Sequence, residues 1–159
     1  MKGLRLWLKN KVFYSRMGGS YRRLGPALDF AKRARSLGFG LLHIIDRDLA
    51  SGIGKNLDVY DALTRFIHVQ VELPRPCFDK ELYSLNARIA FTSPNIPKDI
   101  NYRFSLLKTE EPKELVRHPG FRDILTSSED VAGEAIRLKK RVFFIGKSEG
   151  AFCEISDPP

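Results

Sequence analysis

Short apolar runs recur along this chain with amphipathic or turn-rich stretches between them, and the period of each run separates strand from helix. Eight runs read as strands: GLRLWL (3 to 8), KVFYSR (11 to 16), GLLHII (40 to 45), HVQVEL (68 to 73), ARIAFT (87 to 92), YRFSLL (102 to 107), RDILTS (122 to 127) and RVFFIG (141 to 146). Between them the spacing becomes helical. In PALDFAKRARSLG, Leu28, Ala31, Ala34, Arg35 and Leu37 recur at helical spacing, with Pro26 suited to the start and Gly38 to the stop. NLDVYDALTRF repeats Leu57, Tyr60 and Leu63 on one face behind Asn56, a residue suited to the N-cap. DKELYSL is long enough for two turns. EPKELVRHPGF opens on acidic residues and stops near Pro119 and Gly120, while SEDVAGEAIRLKKR opens on Ser127 or Ser128 and closes on basic residues, the order a helix dipole favours.

Strands alternating with helical crossovers describe an α/β protein with a parallel sheet, and eight of them suggest a small TIM-like (β/α)8 barrel. Such barrels usually need about 250 residues, so in 159 the helical layer must be reduced. KNK leaves no room for a helix between the first two strands, and NIPKDIN holds one turn at most. An incompletely closed sheet is the alternative architecture. With no linker tract and no internal repeat, one barrel domain over residues 1–159 is expected, with 148–159 as a short C-terminal tail. No apolar run nears the roughly 18 residues of a membrane span, and MKGLRLWLKNK is too short and too charged for a signal peptide. The expectation is a cytoplasmic protein with no membrane partner. Cys77 and Cys153 have no CxxC spacing and no neighbouring His, and are expected to be small hydrophobic side chains.

Charge changes this picture more than composition does. The chain holds 27 Lys and Arg against 19 Asp and Glu, a net charge of +8. The surplus lies wholly within residues 1 to 55, which carry twelve basic and three acidic side chains; the rest of the chain is balanced. A basic stretch of this kind fits a polyanion, and the candidate RNA-binding residues are Lys9, Lys11, Arg16, Arg22, Arg23, Lys32, Arg33, Arg35, Arg47 and Lys55. Trp7, Phe13, Tyr14 and Tyr21 are interleaved with them and could offer stacking faces, although Trp7 and Phe13 are expected in the core. The plainer reading is a charged, solvated surface.

The stretch IIDRDLASGIGKN (44 to 56) has the outline of a chemical site. A P-loop would require glycine at 49 and Ser or Thr at 56, where the chain has Leu49 and Asn56. The pair Gly52 and Gly54 lacks the third glycine of a dinucleotide fingerprint. Asp46 and Asp48 follow a strand end, where barrel enzymes place catalytic groups, and with help from other loops could bind Mg²⁺. Turn chemistry explains all four residues without a further partner, and is the preferred reading. His43, His68 and His118 share no motif, and Ser127 and Ser128 lack a nucleophile elbow, so no catalytic residue and no metal ligand is assigned.

Two barrel families resemble parts of the chain. ARSLGFGLLHIIDRDLASGIGKNLDVYDAL followed by HVQVEL resembles the second βα unit and third strand of the phosphoribosyl isomerase barrels of histidine biosynthesis. The positions of that family's catalytic aspartates hold Leu6 and Leu107 here, and Glu72, Leu73 and Pro74 replace its glycine run. FSLL at 104 to 107, TSP at 92 to 94 and ILTSSED at 124 to 130, with HVQVEL and ARIAF taken as fourth and fifth strands, resemble the 30-kDa subunit of ribonuclease P, called protein component 3 in archaea. The second resemblance implies a TIM-like barrel that binds RNA as a noncatalytic subunit and supports removal of the 5′ leader from precursor tRNA. Its partners would be ribonuclease P RNA, precursor tRNA and the other ribonuclease P protein subunits. It implies no cofactor, since Mg²⁺ would serve the RNA-catalysed reaction without a recognised protein site. The first resemblance implies a phosphate-binding barrel enzyme, or a degenerate relative of the isomerases, with Asp46, Asp48, Gly146 and Lys147 near one rim. Charge favours the RNA-binding reading, because a metabolite enzyme needs one focused anion site whereas an RNA subunit needs many phosphate contacts.

Overall fold

The computed structural model describes residues 1–159. The chain opens with β1 (Lys2–Lys9) and a hairpin of β2 (Val12–Met17) and β3 (Ser20–Pro26), then enters α1 (Ala27–Ser36) and β4 (Leu41–Asp46). The helices α2 (Arg47–Ala50) and α3 (Leu57–Leu63) lead to β5 (His68–Leu73), and α4 (Asp79–Ser84) leads to β6 (Arg88–Thr92). A 3₁₀ turn at Tyr102–Phe104 precedes β7 (Ser105–Lys108). Then follow α5 (Lys113–Arg117), β8 (Asp123–Thr126), α6 (Glu129–Arg137), β9 (Arg141–Ile145) and β10 (Cys153–Ser156). Strands β1 and β4 to β10 run parallel in sequence order, and β10 pairs with β1 through Lys2–Glu154, Gly3–Ile155 and Leu4–Ser156. The sheet therefore closes into an eight-stranded barrel.

Strand alternation gives this barrel two apolar surfaces. Outward residues, including Leu4, Leu6, Leu8, Leu42, Ile44, Val69, Val71, Ile89 and Phe91, pack with the helices. Inward residues Leu41, Ala90, Leu106, Leu125, Phe143, Cys153 and Ile155 fill the lumen. Each fully buried Leu, Ile or Phe contributes about 1.5–3 kcal/mol, which is how a thin helical layer still sustains the fold. Helix α1 buries Ala27, Ala31 and Ala34, small side chains that bring its backbone close to the hairpin. Leu28 and Leu37, expected on that buried face, are exposed instead. No helix is long and apolar enough to cross a membrane.

The strand count of eight holds, but its membership changes. KVFYSR is not a barrel strand: β2 runs antiparallel to β1 and turns back as β3, outside the closed ring. Residues 148–159 are not a tail, since β10 lies within them and buries Cys153 and Ile155 in the lumen. In YRFSLL only the second half is strand, because Tyr102–Phe104 turn into the barrel as a 3₁₀ segment. HVQVEL and ARIAF thus become the third and fourth barrel strands rather than the fourth and fifth.

Candidate nucleic-acid interface and barrel mouth

The C-terminal ends of barrel strands form one pole, and β1 carries the hairpin there. Its first half pairs with β10, while Trp7, Leu8 and Lys9 pair with Tyr14, Phe13 and Val12. The two-residue turn uses Asn10 and Lys11, both at positive φ (46° and 64°), as tight hairpins of matching twist require. The Asn10 N–H donates to Asp48 Oδ2 at 2.7 Å, and the Lys11 N–H donates to Asn56 Oδ1 at 2.9 Å.

Asp46 lies beneath this turn with its carboxylate surrounded by donors. The N–H groups of Asp48 and Leu49 reach Oδ1 at 2.9 Å each, the Tyr60 hydroxyl reaches Oδ2 at 2.6 Å, and the Asn56 amide reaches both oxygens. Burial raises the Asp46 carboxyl above its usual range, and these hydrogen bonds only partly offset it. For Asp48 burial also pulls upward, but the bonds from Asn10 and Asn56 with the charges of Lys55 and Lys9 hold it lower than usual. Asn56 spends its side chain on this clasp and not on capping α3. IIDRDLASGIGKN is therefore a structural clasp fastening the hairpin to the barrel. No group of three His, Cys, Asp or Glu is arranged to hold a metal ion.

All ten nominated basic residues are exposed, and only Lys11 forms an ion pair, with Asp58 at 2.6 Å. The hairpin concentrates several of them. The guanidiniums of Arg16 and Arg47 lie over the Tyr21 ring at 5.6 and 4.4 Å from its centroid. Tyr21 meets Trp7 and Tyr14 edge to face, and Arg5 lies over Trp7 at 5.3 Å. Arg22 donates to the Pro159 carbonyl at 2.7 Å. Lys9, Lys11 and Lys55 border the clasp, with Arg23 opposite Tyr14 on β3. Lys32, Arg33 and Arg35 form a separate group on α1, where Arg33 covers Phe30. Phe13 and Trp7 are buried, Tyr14 is half-buried and Tyr21 is 37% exposed, which makes Tyr21 the open ring. Planar cations stacked with an aromatic ring can meet both phosphates and bases.

Inside the mouth, four inward side chains form a polar cluster that sequence reasoning missed. The fully buried His43 presents Nε2 to Glu72 Oε2 at 3.0 Å, and Lys108 donates to the other Glu72 oxygen. Gln70 Nε2 lies 3.1 Å from His43 Nδ1, and its own Oε1 has no partner. If Gln70 donates to Nδ1, the imidazole keeps its proton on Nε2 and donates to Glu72. Burial opposes ionisation of Glu72, yet His43 and Lys108 outweigh it and bring its pKa to about 2. So weak a base accepts little proton at neutral pH, which leaves the Glu72 carboxylate as the ion-pair and hydrogen-bond partner that orders His43 and Lys108 in the mouth. Its members come from β4, β5 and β7; their shared inward parity was the available signal.

The isomerase positions Leu6 and Leu107 both point into the outer core, fully buried, while their neighbours Trp7 and Lys108 face inward. Gly146 and Lys147 are exposed beyond β9. The chain matches no known family profile and no curated protein sequence.

Proposed function

We propose that this protein is an RNA-binding accessory subunit of ribonuclease P, supporting removal of the 5′ leader from precursor tRNA. The observation that carries the RNA-binding part is the hairpin rim, where Arg16 and Arg47 stack on exposed Tyr21 and neither has a carboxylate partner, while Lys11 alone of the nominated residues is paired, with Asp58. Phosphates supply the missing negative charge, and contact with them releases counterions. The ribonuclease P part rests on the phrases FSLL and ILTSS, which lie across the start of β7 and the end of β8. The changed strand membership takes away the support that strand counting gave, so the sequence phrases and the charge carry this part. In this reading the protein contributes charge and shape, while Mg²⁺-assisted cleavage belongs to the RNA.

The test is reconstitution with ribonuclease P RNA and the other subunits from the same source. Omitting this chain lowers precursor-tRNA cleavage, and RNA binding by the isolated chain weakens by orders of magnitude from low to moderate salt, as six or more phosphate contacts demand. Unchanged cleavage together with no RNA binding at low salt overturns the proposal. A phosphate-binding enzyme is then the reading to pursue, motivated by the His43–Glu72–Lys108 cluster and tested by a screen of phosphorylated metabolites.

A further inference from the structure

The opposite pole, at the N-terminal ends of the strands, holds a second basic cluster that charge counting conceals. Its acidic neighbours in sequence, such as Glu110, Glu111 and Glu129, lie on the other pole or on the helices, whereas Arg103, Arg122, Lys139 and Lys140 converge just before β7, β8 and β9. Together with Tyr102 and Arg141 they border a cleft of about 940 Å³. The one carboxylate lining it, Asp123, is engaged by Arg141 at 2.7 and 2.9 Å and by Arg88. Lys140 is tied to the carbonyls of Pro119 and Phe121. Arg103, Arg122 and Lys139 are exposed and form no ion pair.

Tyr102 gives this cleft more than charge. Its ring is 44% exposed yet fixed from behind, edge to face on Phe121 at 5.2 Å. Gly120 makes that position possible, since a Cβ there would fall 2.5 Å from the ring. Lys139 sits at φ 59°, just past the end of α6, where glycine would adopt the same conformation with less strain. The cleft thus sets an exposed, held aromatic face among three cations with no carboxylate partner, of which Arg103 lies over the Phe104 ring at 5.6 Å. A paired helix could use the cations but has no free base face for the ring.

We propose that this pole is a second RNA site, one that takes an unpaired segment with a base stacked on Tyr102 and its phosphates on Arg103, Arg122 and Lys139. The inference rests on the RNA-binding reading of the hairpin rim and deepens it. The two sites lie at opposite ends of strands that span roughly 20 Å, so one barrel bridges two RNA segments.

The experiment measures binding of the full chain to a labelled single strand of about ten nucleotides, within the usual reach of one such site, and to a duplex of the same length. Arg103→Ala, Arg122→Ala and Lys139→Gly are combined in one variant; the last change also relaxes the backbone, so loss of binding with an unchanged thermal unfolding curve is not a folding defect. Removing three phosphate contacts makes the salt dependence of single-strand binding shallower by about 2 in log–log slope. Tyr102→Ala weakens single-strand binding by about tenfold, with duplex binding unaffected and Tyr102→Phe like the wild type. Energy transfer between two differently labelled strands bound to one wild-type molecule disappears in either the pole variant or a rim variant carrying Tyr21→Ala and Arg47→Ala.

If the pole variants bind single strands like the wild type while the rim variant does not, the second site is overturned and the rim reading stands. Binding of neither strand at low salt overturns both. Displacement of the strand by inorganic tripolyphosphate with no sensitivity to Tyr102→Ala makes the pole a simple anion site and also overturns the proposal.

Discussion

Glu72 and Asp46 are both carboxyls enclosed by donors, yet they respond to pH in opposite senses. The Glu72 pKa falls from 4.5 to about 2 on folding, so its contribution is complete above 4.5 and lost as pH drops toward 2. Glu72→Gln should flatten the stability curve across that acid window and remove on the order of 3 kcal/mol at neutral pH, measured by urea denaturation at several pH values. Asp46 is raised on folding, so its contribution is present below the usual carboxylate range and fades as pH rises through the raised value. The donors around Asp46 favour its ionised form against that burial. Tyr60→Phe takes away the hydroxyl at 2.6 Å, and a loss of about 1.5–3 kcal/mol is expected, growing as pH rises because the bond favours the carboxylate; urea denaturation over a pH series measures it. The clasp was partly legible: Asp46 caps the turn after β4 and Gly52 sits at φ 77°, as turn chemistry requires, whereas Asp48 binds the distant Asn10 N–H and Gly54, without a positive φ, lies close against Phe78. That Asn56 and Tyr60 complete it was not legible, because both also fit ordinary helix positions in NLDVYDALTRF. His43, Glu72 and Lys108 stayed hidden for a different reason. They are single residues on three strands, and only the closed barrel turns them toward one another.

At the scale of elements, the hairpin is the place to separate stability from binding. Arg16, Arg47 and Tyr21 are exposed, so replacing all three by Ala should shift folding stability by no more than about 0.5 kcal/mol per site. RNA affinity should fall at least tenfold, as checked by fluorescence anisotropy beside chemical denaturation. An unchanged affinity removes the rim from the functional argument. The hairpin also explains why one strand was missed. β3 runs SYRRLGP with Ser20 to Arg23 all exposed, because it lies outside the ring and needs no apolar face. β10 escaped for the opposite reason: CEIS is four residues long, and its two inward side chains are too few to register as alternation. Where strands are buried on both faces, as in GLLHII and RVFFIG, continuous apolar runs made them plain. In α1 the middle of the expected face holds, since Ala31 and Ala34 are buried, but at its start Ala27 is buried in place of Leu28, and Leu37 lies past the last helical residue in solvent.

For the whole molecule, closure depends on the segment that looked most dispensable. Removing residues 153–159 takes away β10, the Arg5–Asp157 ion pair and the lumen contacts of Cys153 and Ile155. The shortened chain should lose cooperative thermal unfolding, seen as a broad transition in circular dichroism. The fold class itself was legible because strand and helix periods alternate along the chain; ring membership was not, since pairing partners are decided by closure.

That closure also orders events in time. Joining β1 to β10 brings together Arg5 and Asp157, 152 positions apart, whereas His43 and Gln70 on adjacent strands are separated by only 27. The longer loop costs about 1.5 kcal/mol more to close, so the seam forms late and opens early. Amide hydrogens there, such as the Glu154 N–H bound to the Met1 carbonyl, should exchange faster than those between β4 and β5. Each opening bares two unpaired strand edges, templates on which a neighbouring copy can add its own strand. The ring itself has no edge in its resting state, so apart from the outer edge of β3 in the hairpin its liability to self-association is confined to one seam.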